Sequence, residues 1–578
     1  MAKSELRIPL PNARPRLLPR ARRSIAAEMA VSPEKREEVT IVVRSRGPEA
    51  EWQALVHELS TTLPKTRRYL TRAEFKKQWG ASPRDIAAVE SFARLYRLKV
   101  VSADVFRRCV VVSGTQKQLE RAFSVTFIPV RHLTGIYRAH RETPQVDEAV
   151  AGIVECVFGL DNLPAAETHL VAPPPDDAGT MDRSELLTAY SVPRAPFGAR
   201  KRISGRGQCV AVIELGGGYY LSDYKRYFRQ LGLEPPPLRV KRIGDAQNEP
   251  ASPEAIQKYW DALQFGHFDP SKPITGSYRS DGQVAWTIET TMDLQLVGTI
   301  APQATLLLVQ SPNNDQGEYH ALTSAIADAR NDPSVISCSW GSAECRHTPA
   351  FMMAMDRWFQ AAAVLGISVC YSSGDAGDGA IPMAQPPECK GLNFKICFPA
   401  SSPHVLACGG TTLDPKEHKE TAWKQVMAGA TMAGGGGFST MFDKPPWQGG
   451  IDADAWLPRG ASSGRGRAIP DVAAKADFDH AFSVVVGGVE VASGGTSAAV
   501  PVWGGMMAVM NDGLKGRAGA IAPLFYNGLA DGALRDITEG NTGYFHAEKG
   551  WDPCTGWGSP NGTALLRALS ARPPRGRR

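Results

Sequence analysis

From residue 209 onward, apolar runs recur with helical segments between them, and this alternation restricts the fold more than any other feature. The run Cys209-Val210-Ala211-Val212-Ile213 contains no charged or hydroxyl side chain. A strand with one wet face alternates apolar and polar residues, whereas an unbroken run fits a parallel strand buried on both faces. Similar runs occur at 304–309, 335–339, 367–371, 405–408 and 482–486, with helical spacing at 222–231, 284–297, 320–329 and 349–365. That order predicts an α/β domain built on a parallel sheet. Catalytic groups are then expected at the carboxyl ends of its strands.

At 578 residues the chain is too long for one hydrophobic core. The stretch 39–165 carries its own pattern: strands at 39–43, 98–102, 109–113 and 125–130, and helices at 49–61, 82–96, 116–123 and 149–157. In the second helix Ser82 is placed to cap, Pro83 takes the first helical position, and Ile86, Val89, Phe92 and Leu95 form an apolar stripe. The order predicts an α+β sandwich of ferredoxin-like type. Before it, residues 1–38 are basic (Arg14, Arg16, Arg20, Arg22, Arg23) and are expected to be mobile. After it, 166–182 is a linker around Pro173-Pro174-Pro175-Asp176-Asp177, extended and open to cleavage. The α/β domain runs from 183 to 570, and 571–578 is a basic tail.

Net charge is only +6, with conspicuous excess at the two ends and no aromatic interleaving, so nucleic-acid binding is not expected. No apolar stretch is long enough to span a membrane. The N-terminus lacks a continuous apolar core of the kind an ordinary signal peptide has. Among ten cysteines, Cys389 and Cys397 are one candidate pair and Cys338 and Cys345 another, while Cys209 and Cys370 read as buried thiols.

Three motifs carry chemistry. Ser493-Gly494-Gly495-Thr496-Ser497-Ala498 precedes an apolar run from Pro501 to Met510. This places Ser497 at the start of a buried helix, beside free backbone N–H groups and at the positive end of the helix dipole. A nucleophilic serine needs that exposure and those donors; the alternative is an ordinary turn before a core helix. In Trp286–Leu294, Glu289 and Asp293 fall one helical turn apart on one face, in apolar company. They fit a general base and the acid that tunes it, or else a solvated acidic face. Ser373-Gly374-Asp375-Ala376-Gly377 follows the run at 367–371. There a neutral Asp375 is placed to donate to an oxyanion, unless it only caps a turn.

Taken together, these motifs resemble the sedolisin family of serine-carboxyl peptidases, most closely its kumamolisin branch. Ile213-Glu214-Leu215-Gly216-Gly217-Gly218, Ser337-Cys338-Ser339-Trp340-Gly341, Phe398-Pro399-Ala400-Ser401 and Pro470-Asp471-Val472-Ala473 add to the resemblance. It implies a subtilisin-like catalytic domain after an activation prodomain, with Ser497 as nucleophile, Glu289 and Asp293 in place of the usual histidine and aspartate, and Asp375 at the oxyanion. It also implies that Glu214 and Trp340 extend the carboxylate network. The block from Asp536 to Asp552 matches the family's structural Ca²⁺ site. Its ligands would be the Asp536 and Asp552 side chains and the carbonyls of Ile537, Gly550 and Glu548, the last standing where the family has glycine. The implied protein is a secreted, monomeric, acid-acting endopeptidase made as a self-processing zymogen, inhibited by its own prodomain and acting on protein and peptide substrates. A tripeptidyl exopeptidase of the same chemistry and a catalytically silent peptide-binding relative are the rivals. Eleven histidines are present, yet none sits in a partner motif for Ser497. A carboxylate base has a reference pKa of about 4.3, so the chemistry is expected to run in acid.

Overall fold

In a computed structural model, described at residues 6–13, 35–132, 135–166, 180–193, 203–264, 278–378, 394, 396–427, 430–461 and 464–571, the apolar runs assemble one eight-stranded sheet. Its parallel strands lie in the order Leu238–Arg242, Thr305–Gln310, Cys209–Glu214, Val335–Cys338, Ser368–Ser372, Leu406–Asp414 and Val472–Lys475. Lys419–Ala422 pairs antiparallel with Leu406–Asp414. The run at 482–486 is not part of this sheet. It folds back on Val489–Ser493 as a hairpin, across Gly487 and Gly488, which both have positive φ. Its apolar composition reflects burial, not sheet membership.

Each face of the sheet has its own core. Val210 and Val212 point to the side covered by two long helices, Tyr278–Ile300 and Thr496–Leu514. Ala211 and Ile213 point to the other, under Asp315–Ala327 and Pro349–Val364. The two long helices approach closely because Gly505 has no side chain; a Cβ there would stand 2.7 Å from Ile300 Cβ.

The N-terminal unit is a second sheet, ordered Lys99–Asp104, Cys109–Thr115, Arg36–Val43, Val154–Phe158, every pair antiparallel. Helices Pro83–Leu95 and Gln116–Phe123 complete a β-α-β-β-α-β order, the expected ferredoxin-like arrangement. Two sequence expectations fail here. Residues 149–157 are not one helix: a short helix, Glu148–Ala151, ends at Gly152, and Val154–Phe158 is the fourth strand. Its buried residues Val154, Cys156 and Phe158 have period two, the strand period. The N-terminal segment is also partly ordered. Arg7–Pro9 pairs with Gln145–Asp147, and Arg7 is tied to Asp147 Oδ1 at 2.5 Å. Residues 14–34, most of the linker (167–179) and the tail from 572 lie outside the described residues.

The two units meet over a shared apolar cluster. Trp52, Phe75 and Phe106 of the N-terminal unit pack with Trp358 of the α/β domain. Polar contacts surround it: Arg357 to Glu49 at 2.5 Å, Arg72 to Asp332, and Arg67 to the Ala518 and Ala520 carbonyls at 2.6 and 2.8 Å. The chain leaving the N-terminal unit is then held near the carboxyl ends of the central strands. Ala166 exchanges two hydrogen bonds with the Asn313 amide, and the Ala165 carbonyl accepts from Ser342.

Candidate active site

Ser497 is the second residue of the helix Thr496–Leu514, whose N-cap, Gly495, offers no side-chain cap. Of the first N–H groups of the helix, that of Thr496 donates to Asp375 Oδ1 and that of Ala498 to the Gly495 carbonyl. Gly495 has φ +79°, and a Cβ there would lie 2.3 Å from Asp375 Oδ2, so only glycine lets this turn pass the Asp375 carboxyl.

Glu289 and Asp293 come from the helix Tyr278–Ile300 and are 1% and 0% exposed, which rules out a solvated acidic face. Glu214 ends the strand Cys209–Glu214 and is equally buried. It accepts from Trp340 Nε1 at 2.9 Å and from Thr290 Oγ1 at 3.2 Å. Asp293 accepts from Ser339 Oγ at 2.8 and 3.0 Å, and the same hydroxyl lies 3.0 Å from the Ser497 carbonyl oxygen. The structure thus brings Ser497, Glu289, Asp293, Asp375, Glu214 and Trp340 to the carboxyl ends of adjacent strands, as the topology predicts.

Among the described residues, no cation is named among the influences on Glu214, Glu289 and Asp293. Burial raises Glu214 to about 8, opposed by hydrogen bonds from Trp340, Thr290 and Asp293. Burial also holds Glu289 well above the usual carboxylate range; Ser497 favours its charged form, and the charges of Glu214 and Asp375 oppose it. Asp293 is raised likewise by burial, then by Glu214 and Glu289. The reference value of a free carboxylate therefore does not apply here. Burial and mutual repulsion both favour the protonated forms of these groups. Ser497 acts on Glu289 as a hydrogen-bonding neighbour that favours its charged form, although among the described residues no bond of full geometry is made by its Oγ or by either Glu289 oxygen. Such catalytic contacts are commonly loose without substrate and tighten around it.

Three histidines of the α/β domain are engaged elsewhere. His404 Nδ1 bonds Asp356 at 2.8 Å, His347 Nε2 bonds Ser342 at 2.8 Å, and His320 lies in the contact with the N-terminal unit.

Sequence reasoning missed three positioning residues. Thr496 donates to Asp375 Oδ1 from its backbone N–H (2.8 Å) and its hydroxyl (2.6 Å). Ser339 and Thr290 hold Asp293 and Glu214. Each stands inside or beside a quoted motif, but a hydroxyl's target is set by the fold. The expected Cys338–Cys345 pair is not formed. Cys338 is a buried free thiol at the end of its strand, while Cys345 is disulfide-bonded from the short helix Glu344–Arg346 beyond it. Cys389 lies outside the described residues.

A second polar cluster lies in the loop after residue 535. Asp536 Oδ2 accepts from Gly550 N at 2.9 Å, and Asp552 accepts from the amides of Glu548, Cys554 and Thr555. Asp552 is fully buried, and burial raises its pKa to about 7. Among the described residues no three His, Cys, Asp or Glu side chains group to hold a metal. A cation here would depend on backbone carbonyls beside the two aspartates, including that of Ile537, which suits a hard oxygen-seeking ion.

A family model for the pro-kumamolisin activation domain matches residues 24–163, and one for the subtilase family matches residues 278–523. Kumamolisin from Bacillus sp. (strain MN-32) is 35% identical over 556 residues, 93% of this chain and 92% of its own. Sedolisin from Pseudomonas sp. (strain 101) is 26% identical over 514 residues, 85% of this chain and 80% of its own. The solved structure of Pseudomonas sedolisin, a serine-carboxyl proteinase complexed with two molecules of pseudo-iodotyrostatin, matches with TM-score 0.53 at 25% identity, covering 68% of this chain and 98% of that one.

Proposed function

The chain belongs to the kumamolisin family of serine-carboxyl peptidases, and from that membership we propose that Ser497, Glu289, Asp293 and Asp375 carry out peptide-bond hydrolysis. Ser497 Oγ attacks the scissile carbonyl while Glu289 takes its proton. Glu289 then returns that proton to the leaving amine, and an acyl-enzyme remains on Ser497. Asp375, neutral in acid, donates to the oxyanion. Asp293 stays protonated next to Glu289 by burial and by its hydrogen bond to Glu214, which Thr290 and Trp340 hold in place, while Ser339 orients Asp293. Water then hydrolyses the acyl-enzyme by the same route in reverse.

The observation that carries this reading is the buried carboxyl pair, Glu289 beside Ser497 and Asp293 beside Glu289, with no cation among the described residues named as acting on either. The protein is a hydrolase made as a zymogen, and its prodomain acts as an intramolecular inhibitor with protein and peptide as substrates. Self-cleavage as an endopeptidase falls within about 165–185, in the Pro-rich linker that leaves the Asn313–Ser342 contact. Incubating the full chain at pH 4 beside Ser497→Ala tests this. The wild type releases its N-terminal portion and the variant does not; release from both would refute the assignment.

The loop 536–552 is the proposed Ca²⁺ site, with Asp536 and Asp552 as charged ligands and the carbonyls of Ile537, Glu548 and Gly550 completing it. The ion would neutralise a buried carboxylate and brace the loop. A chelator is then expected to lower the thermal midpoint; an unchanged midpoint would argue against the site. A monomer exported to an acidic exterior fits this chemistry. No helix among the described residues is long and apolar enough to cross a membrane.

A further inference from the structure

Resting on the reading of Asp375 as the oxyanion residue, we propose that Asp378 is its positioning residue, tying the turn that carries Asp375 to the tip of the C-terminal loop. Asp378 is fully buried three residues beyond Asp375. Its Oδ2 accepts from the backbone N–H of Phe545 at 3.0 Å and from that of Tyr544. The approach is close because residue 543 is glycine at φ +134°; a Cβ there would fall 2.8 Å from Asp378 Oδ1.

The gripping loop is itself fixed. Thr542 N donates to Phe545 O at 3.0 Å and Ala547 N to Gly540 O at 3.0 Å. Other anchors hold the turn nearer Asp375. Ala433 accepts from Gly377 N at 2.9 Å and donates to Asp375 O at 3.1 Å, while Thr496 holds the Asp375 carboxyl. Thr496 sets Asp375 relative to Ser497, and Ala433 sets its backbone. Asp378 closes the far end of the turn, which spans no more than about 10 Å of chain. Releasing that end lets the turn drift away from the carbonyl that Asp375 must meet. An oxyanion donor displaced by about 1 Å loses on the order of 10²-fold in rate. A carboxylate that accepts two amides and lies wholly out of water leaves both N–H groups unsatisfied when truncated, so the tip is released as well.

The test uses the full-length chain, activated in acid, with kcat and KM measured on a peptide substrate. Asp378→Ala is expected to lower kcat by about 10–100-fold at unchanged KM. Asp378→Asn keeps an oxygen for both amides and is expected to stay within about threefold of wild type. In an Asp375→Ala background, Asp378→Ala is expected to cost little more, because it acts through the missing carboxyl. Full kcat in Asp378→Ala, equal loss in Asn and Ala, or losses that multiply in the double variant would each overturn the proposal. If Asp378→Ala does not fold, Tyr544→Pro removes one of the two donors and should still lower kcat at constant KM; unchanged kcat there would also overturn it. A silent Asp375→Ala would instead refute the oxyanion reading itself, an outcome distinct from the others.

Discussion

Glu289 and Asp293 lie one helical turn apart with no cation among the described residues acting on them, whereas Glu49 and Asp332 each face an arginine across the contact between prodomain and catalytic domain. Burial dominates the first pair and raises it. For Glu49, burial is outweighed by hydrogen bonds from Gln53 and Arg357, and for Asp332 by Arg72 and Arg517, so both sit below the usual range. The signs then separate. A carboxyl with a raised pKa stabilises its folded surroundings at low pH and loses that contribution as pH rises. One with a depressed pKa stabilises above its free value and loses that contribution as pH falls through its bound value. As pH falls, these interdomain ion pairs therefore contribute less, while the raised carboxyls favour the catalytic core.

His320 strengthens the contrast. Arg107, a cation of the prodomain, donates to its Nδ1, which fixes the ring as the Nε2–H tautomer facing Thr40 Oγ1 at 2.7 Å. Burial, then the Arg107 charge, lowers His320 to about 3. Protonating Nδ1 removes the acceptor and sets two cations together. Docking stability from this group is whole above the free histidine value of about 6.5 and drains as pH falls toward the bound value.

The largest effect expected from breaking the comparison is on the catalytic side. Glu289→Gln keeps shape but cannot take a proton, and should lower kcat by about 10³–10⁴-fold without loosening the prodomain. Asp375→Ala should lower kcat by about 10²–10³-fold, the usual cost of an oxyanion donor. Both are read by steady-state kinetics on the processed enzyme. On the interface side, His320→Asn offers Arg107 an acceptor that does not titrate. In a Ser497→Ala background, with the linker cut by an added protease, prodomain affinity at pH 4 should exceed that of the histidine form by on the order of 10²-fold. Equal affinities would remove His320 from the acid response. The smallest effect is expected from Asp332→Asn. The Asp332 side chain is 56% exposed in this pair, and such partly solvated pairs contribute roughly 0–1 kcal/mol, so docking at neutral pH should weaken only slightly. A collapse of docking there would show that ion pairs, not the histidine, carry the acid response.

Much of the fold was legible because burial on both faces leaves unbroken apolar runs, and five such runs do form the central sheet. The run at 482–486 shows the limit, since a hairpin buried against a helix has the same composition. Residues 154–158 show another: a five-residue strand after a four-residue helix is too short for either period to dominate a sequence window. At the site, the reactive types stand in motifs whose spacing is local, so Glu289, Asp293, Asp375 and Ser497 could be singled out. Thr496, Ser339 and Asp378 could not, because their partners lie far along the chain, 121, 46 and 167 residues away in turn. The sequence also set the cluster's acidity by the free carboxylate, whereas burial moves it upward.

The most direct measurement of the central claim is the pH dependence of kcat/KM for the processed enzyme. A serine served by buried carboxyls, one of them ionised and the rest protonated, should turn over fastest in acid and decline through neutral pH as the second proton leaves. A maximum near pH 8, with a rising limb at about 6.5 as an imidazole base gives, would contradict it.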